Sequence, residues 1–172
     1  MRETQTAALA QALAAVPEEA LTRFAAAVQA HPRVFVCGAG RSGLMLRAFA
    51  MRLAQMGRTA YVAGETTTPA LAAGDLLVLA SASGGTPSVL RAARVAADCG
   101  AALLTVSARE ASPLAALHTP DILLSLPDKD HPADGAPMGT LFEQALLLTL
   151  DEVILRLHPD PERMRANHAN LE

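Results

Sequence analysis

Two hydrophobic periodicities trade places along this chain. Thr4 to Val16 has helical composition. Glu18 to Ala30 follows with helical spacing, and Pro17 and two acids at its start make a good helix beginning. Arg33 to Cys37 is a short β-rich run, followed by the glycine-rich GAGRSG at 38–43. Leu44 to Met56 returns to helical spacing, with Arg47 and Arg52 on its polar side and Gly57 as its cap. Thr59 to Val62 predicts a second strand, GETTTPA at 64–70 a polar loop, and Asp75 to Ala80 a third strand. Ser88 to Cys99 predicts a helix ending at Gly100, and Ala102 to Val106 a fourth strand. Ser112 and Pro113 cap a short helical turn, and Asp121 to Leu126 reads as a fifth strand. A loop over 127–137 leads into a long, very apolar helix, Gly139 to Leu157, and a polar tail closes the chain over 158–172.

Strands alternating with helices predict an α/β fold on a parallel sheet. Five strands with right-handed crossovers suggest the order 2-1-3-4-5 in a single three-layer domain over 1–172. Its parts are N-terminal helices at 1–30, a sheet core at 33–126, and a C-terminal helix and tail at 139–172. In that order the chain switches direction between strands 1 and 3, where such sheets bind ligands. The segments leaving those strands are GAGRSG and SASGGT at 81–86.

The second of these loops holds the clearest candidate chemistry. In LLVLASASGGTPS, 76–88, an apolar run stops at Ser81 and gives way to Ser83, Gly84 and Gly85. Thr86 reads as a helix N-cap and Pro87 as the first helical residue. Close-approaching glycines, hydroxyls and a helix N-terminus together suit an anion, naturally a phosphate. A plain Ser/Gly turn with a good cap fits the same residues. Gly38, Gly40 and Gly43 also match G-x-G-x-x-G, with Glu65 near where a ribose-binding acid belongs. That pattern alone is a weak sign of a dinucleotide. The chain has no room for the second domain that a nicotinamide enzyme usually needs.

Bulk numbers narrow the field. At 172 residues the chain suits one domain with a full core. A net charge of −3, with no basic stripe carrying aromatics, argues against non-specific nucleic-acid binding. No apolar stretch approaches the roughly 18 residues of a membrane span. The first residues, MRETQTAALAQALAAVP, show no signal-peptide pattern. Cys37 and Cys99 lack metal-site spacing and read as reduced core thiols, which points to the cytoplasm.

S-x-S-G-x-T at the end of the third strand resembles the phosphate loop of the sugar isomerase (SIS) domain. GAGRSG, FAMRL at 49–53, GETTTP at 64–69, SASGGT, SPLA at 112–115, GTLFE at 139–143 and HANLE at 168–172 together resemble the 6-phospho-3-hexuloisomerase family. The resemblance implies an SIS version of the flavodoxin-like order and interconversion of 3-hexulose 6-phosphate and fructose 6-phosphate, a step of the ribulose monophosphate route of formaldehyde fixation. It also implies no metal or organic cofactor, a sugar phosphate as the small-molecule partner, and a homotetramer. One departure is Gly85, where the family commonly has Glu. Other SIS isomerases and a non-catalytic, sugar-phosphate-sensing SIS module are the alternatives.

Moving a carbonyl between C3 and C2 needs a base near both carbons. Glu143 is the candidate. A carboxylate among the leucines of LFEQALLLTL is partly desolvated, a setting in which carboxylates act as bases. Its place near a helix start equally suits an acid that complements the dipole, and the likeness to GTLFE selects the catalytic reading. His168 is the candidate second acid/base on the likeness to HANLE alone, with the tail reaching a neighbouring subunit's site as the SIS resemblance implies. Ser81, Ser83, Gly84 and Thr86 are the phosphate candidates. Gly40, Arg41, Ser42 and Thr68, with Thr66 and Thr67 beside it, are candidates for the phosphate or the sugar hydroxyls. Lys129, the only lysine, sits between two aspartates, which is no setting for a Schiff base. His31, His118, His131 and His158 lie beside prolines or in turns and read as surface residues. The apolar helix 139–157 reads as deeply buried or packed between subunits.

Overall fold

Strand β3, Leu76–Ser81, is buried along its whole length, as a central strand covered on both faces must be. It lies third in a five-stranded sheet in the computed structural model, which describes residues 2–126 and 139–170. Around it run β1 (Arg33–Gly38), β2 (Thr59–Val62), β4 (Ala102–Ser107) and β5 (Ile122–Leu123), in the order β2-β1-β3-β4-β5 with every pair parallel. The helices are α1 (Arg2–Ala14), α2 (Glu18–Ala30), α3 (Gly40–Gln55), α4 (Pro87–Cys99), α5 (Thr140–Arg156) and α6 (Pro161–Ala166). Among the described residues no helix is long and apolar enough to cross a membrane.

Alternating strand positions sort the core into two layers. Val34, Val36, Val78, Ala80, Leu104 and Val106 face one cluster with α2, α3 and α5. Phe35, Leu77 and Leu79 face a smaller one with Val89, Ala93 and Ala96 of α4 and with Leu114. The order 2-1-3-4-5 and the single α/β domain stand as the sequence predicts.

Four local expectations change. GAGRSG is not a loop throughout, because α3 begins at Gly40. The strand expected over 121–126 pairs only at Ile122 and Leu123. There the Asp121 side chain takes the place of a strand carbonyl, accepting from the Thr105 N–H at 2.7 Å. The polar tail contains α6, capped by Asp160, whose Oδ1 accepts from the Glu162 N–H at 2.9 Å. The first helix ends at Ala14 rather than Val16. The loop expected at 127–137, with Lys129 and His131, lies outside the described residues.

The far end of the sheet is tied by charge. Arg33 donates from Nε and Nη2 to the two Asp75 oxygens at 2.7 and 2.6 Å, and the Ala72 N–H adds a third bond at 2.8 Å. Burial pushes the Asp75 carboxyl upward, but Arg33 and the Ala72 N–H outweigh it and hold it below the ordinary carboxylate range. A depressed carboxyl stabilises the fold above its unfolded-state pKa, and that stabilisation is lost as pH falls through the folded-state value. Acidification from about pH 4 downward should therefore lower the urea midpoint of the wild type. Asp75→Asn should start from a lower midpoint at neutral pH and respond less steeply to acid. Equal acid slopes for the two proteins would remove Asp75 from this role.

Candidate active site

The register of β1 on β3 decides where the site lies. Gly38 stands opposite Ala80, so the two strands end side by side at one edge of the sheet. From there α3 leaves on one face and α4 on the other, which opens a crevice between them.

The first turn of α3 is seated on the end of β1 by two glycines. A Cβ on Gly43 would lie 2.5 Å from the Gly38 carbonyl oxygen, and one on Gly38 would lie 3.0 Å from the Gly43 nitrogen. Only backbone fits between them, so these positions serve helix-on-strand packing. Gly40 opens the helix with φ +55. Ser42 is half-buried beside it, and Arg41 is exposed.

The loop after β3 folds on its own hydroxyls. Ser81 is buried, and its Oγ accepts from the Gly84 N–H at 3.1 Å and shares a 2.9 Å hydrogen bond with Thr86 Oγ1. Ser83 Oγ accepts from the Gly85 N–H at 3.2 Å, and both residues are exposed. Thr86 stands at the N-cap of α4 as expected, yet its hydroxyl bonds to Ser81 and no side chain caps the helix. The first-turn N–H groups of α4 thus keep their donor capacity and the positive end of the helix dipole, both of which suit an anion. Gly85 is exposed, and a side chain there would meet Ser83 Oγ only at 3.8 Å.

Glu143 lies in the first turn of α5, buried to 8% exposure. Arg41 donates from Nε to Glu143 Oε2, joining residues 102 positions apart. The first turns of α3 and α5 are therefore coupled by an ion pair at the ligand edge of the sheet. The carboxylate is both shielded and oriented, and its Oε1 lies over Gly139.

The GETTTP loop is held down on α3. Glu65, the residue placed for a ribose, is ion-paired with Arg47. Thr68 Oγ1 donates to the Val62 carbonyl at 2.5 Å, while Thr66 and Thr67 are exposed. His118, expected on the surface, is instead half-buried and bonds to Asp121 Oδ2 at 3.0 Å. Asp121 raises its pKa against the opposing effect of burial. Cys37 and Cys99 are free and half-buried rather than deep in the core, and burial pushes the Cys37 thiol up.

His168 is exposed, and it is not brought to Glu143 within the chain. Asn167 Nδ2 donates to the Gln55 carbonyl at 2.9 Å, pinning the tail to the C-terminal end of α3. Arg41 stands near the other end of that 16-residue helix, roughly 21 Å away at about 1.5 Å per residue. His168 Nδ1 is 3.0 Å from the Ala169 carbonyl oxygen, which only accepts, so Nδ1 donates that bond and Nε2 lies outside it. Residues 171 and 172 of HANLE lie outside the described residues.

Gly139 has φ +84, and a Cβ there would stand 3.1 Å from Glu143 Oε1. Gly139→Ala should cost about 1–2 kcal/mol from left-handed strain alone, read as a lower urea midpoint. Gly139→Asn, which tolerates that conformation better, should recover part of the loss. An alanine variant as stable as the wild type would remove the conformational requirement.

Known proteins share this fold and much of this sequence. The SIS domain matches residues 28–150. A "3-hexulose-6-phosphate isomerase" of Mycobacterium gastri is 44% identical over 147 residues, covering 81% of this chain and 74% of its own length. One of Bacillus subtilis (strain 168) is 41% identical over 151 residues, covering 81% and 80%. Among solved structures, a hypothetical protein from Methanococcus jannaschii, whose structure was taken to infer 3-hexulose-6-phosphate isomerase function, superposes with a TM-score of 0.79. It is 34% identical and covers 90% of this chain and 87% of its own. On the domain match and the identity to these relatives over most of its length, the chain belongs to the SIS-domain family, among its 3-hexulose-6-phosphate isomerases.

Proposed function

We propose that this isomerase interconverts 3-hexulose 6-phosphate and fructose 6-phosphate through a 2,3-enediol, as a step of the ribulose monophosphate route. The observation that carries the reading is Glu143: a shielded carboxylate, oriented by Arg41, at the same sheet edge as an uncapped helix N-terminus behind a hydroxyl loop. The phosphate is held by Ser83, Thr86 and the open N–H groups around α4, within the loop that Ser81 and Gly84 shape. The Glu143 carboxylate takes the C2 proton of the 3-hexulose while the C3 carbonyl oxygen gains one, giving the enediol. The C2 hydroxyl then loses its proton, and Glu143 returns the carried proton to C3. His168 Nε2 moves the proton between the two oxygens. Gly40, Ser42 and the loop of Thr68 line the sugar side, and Arg41 holds the base.

Two kinds of variant separate binding from chemistry. Ser83→Ala or Thr86→Ala each removes a hydrogen bond to a charged group, about 1.5–3 kcal/mol, and should raise KM more than it lowers kcat. Glu143→Gln should still bind the sugar phosphate but lower kcat by at least about 10²-fold. In deuterated water the wild type should place deuterium at C3 of fructose 6-phosphate, and Glu143→Gln should not. Wild-type turnover by Glu143→Gln would move the base elsewhere. A wild-type protein that binds the sugar without converting it would identify a sensing module.

The distance between His168 and Glu143 in one chain supports a site shared between copies. So do Leu44 and Met51 on α3 and Leu148 and Leu155 on α5, exposed apolar residues on two helices packed together. A homotetramer in which the tail of one copy serves the site of another accounts for both. Deleting 167–172 should then abolish activity while leaving the fold intact. Mixing that protein with Glu143→Gln should restore part of it, because one hybrid site holds both an intact glutamate and an intact tail. Full activity of the truncated protein alone would remove His168 from the mechanism.

A further inference from the structure

The hydroxyl loop 81–86 does not hold its shape alone, for a second segment closes on it from the β4 side. Gly84 has φ +62, and a Cβ there would stand 2.1 Å from Ser112 Oγ and 2.5 Å from Ser112 Cβ. The serine therefore occupies the volume that any side chain at 84 would need. The Gly84 carbonyl accepts from the Leu114 N–H at 2.8 Å, and the Ala82 carbonyl from the Ala108 N–H at 3.3 Å. On its other side the Gly84 N–H is held by Ser81 Oγ. Both peptide groups flanking Gly84 are thus fixed, and with them the direction of the Gly85 N–H, which donates to Ser83 Oγ, so the brace sets where that hydroxyl and the chain entering α4 stand.

The segment that does this is itself anchored. Ser112 Oγ accepts from the Ala115 N–H at 3.1 Å, capping a single turn. The Leu114 side chain is fully buried in the α4 layer, and its carbonyl accepts from the His118 N–H at 2.9 Å. The His118 ring reaches Asp121 Oδ2 at 3.0 Å, and the same oxygen accepts from the Thr105 N–H of β4 at 2.7 Å. A continuous set of contacts runs from β4 through Asp121, His118 and Leu114 to Gly84.

We infer that the turn 112–121 is a brace that sets the anion-binding conformation of the 81–86 loop, with Ser112 a positioning residue for phosphate affinity rather than a ligand. This inference rests on the phosphate reading of that loop. Ser112 acts through Gly84, and its hydroxyl oxygen is engaged by the Ala115 N–H. Its removal should therefore change binding while leaving the proton-transfer groups in place.

The test measures sulfate affinity by calorimetry, since sulfate keeps its charge where phosphate esters titrate, together with KM and kcat for fructose 6-phosphate. Ser112→Ala should raise the sulfate Kd and the KM roughly tenfold, as expected for about 1.4 kcal/mol of binding, with kcat within about twofold of wild type. Gly84→Ala should lose sulfate binding altogether through collision with Ser112. The double variant Gly84→Ala/Ser112→Gly should bind sulfate better than Gly84→Ala alone, because the collision is gone. Two mutations that merely weaken the fold would add instead. This cycle also keeps the inference open to refutation if Ser112→Ala folds poorly. Additive losses, or an unchanged sulfate Kd in Ser112→Ala while Ser83→Ala raises it, would overturn the brace and leave the phosphate site standing. Unchanged sulfate binding in both Ser83→Ala and Thr86→Ala would instead overturn the phosphate site, and the brace with it.

Discussion

The backbone contact between Gly38 and Gly43 is the constraint on which the ligand edge depends. Helix α3 cannot start where it does unless Gly43 lacks a Cβ, because 2.5 Å separates the Gly38 oxygen from a Cβ built on Gly43, and a Cβ on Gly38 would be tight at 3.0 Å. That contact seats the first turn of α3 on the end of β1 and fixes where Arg41 leaves the chain. The Arg41 ion pair then fixes Glu143, which begins a helix 102 positions later. A substitution at Gly43 would act at long range, because the helix would have to lift and the carboxylate would lose its partner. The G-x-G-x-x-G spacing follows from this packing, since two of its glycines are touching backbone and the acid expected for a ribose is paired with Arg47.

Helix α3 also keeps the parts of the site apart. Its N-terminal end holds Arg41 against Glu143, its middle holds Arg47 against Glu65, and its C-terminal end receives Asn167 of the tail. Three segments distant in sequence are arranged along one rigid rod. Catalytic groups on rods and strands hold their geometry better than groups on loops alone. The hydroxyl loop is the exception, and it is correspondingly tied at both flanks of Gly84.

Much of this was legible in the residues. Apolar runs ending at serine or glycine placed β1 and β3, and the crossover rule gave their order, because burial on both faces leaves an unmistakable hydrophobic run. The two loops, Glu143 and the Ser112 turn were visible as patterns. The start of α3 was not, because glycine has poor intrinsic helix propensity and only the contact with Gly38 explains its use. The early end of β5 depended on the Asp121 side chain replacing a backbone acceptor. α6 did carry a signal, Asp160 followed by Pro161, the usual pairing of a capping acid with a proline in the first helical turn. Pairings such as Arg41 with Glu143 have no local signature, since nothing near either residue names the other.

The site divides its electrostatic work between two devices that do not compete. The α4 N-terminus is left without a side-chain cap, because Thr86 turns its hydroxyl to Ser81, so the helix keeps its donors and dipole for a negatively charged ligand. Glu143, also negative, would repel that ligand if it stood alone at the same edge. Its pairing with Arg41 offsets the charge while leaving Oε1 outside the Arg41 Nε contact, which is made by Oε2. Oε2 serves placement, and Oε1 is the oxygen that would carry the proton in the proposed mechanism. In the proposed mechanism a carboxylate base and an anion site share one edge, and the Arg41 ion pair serves both by orienting the first and offsetting its charge toward the second.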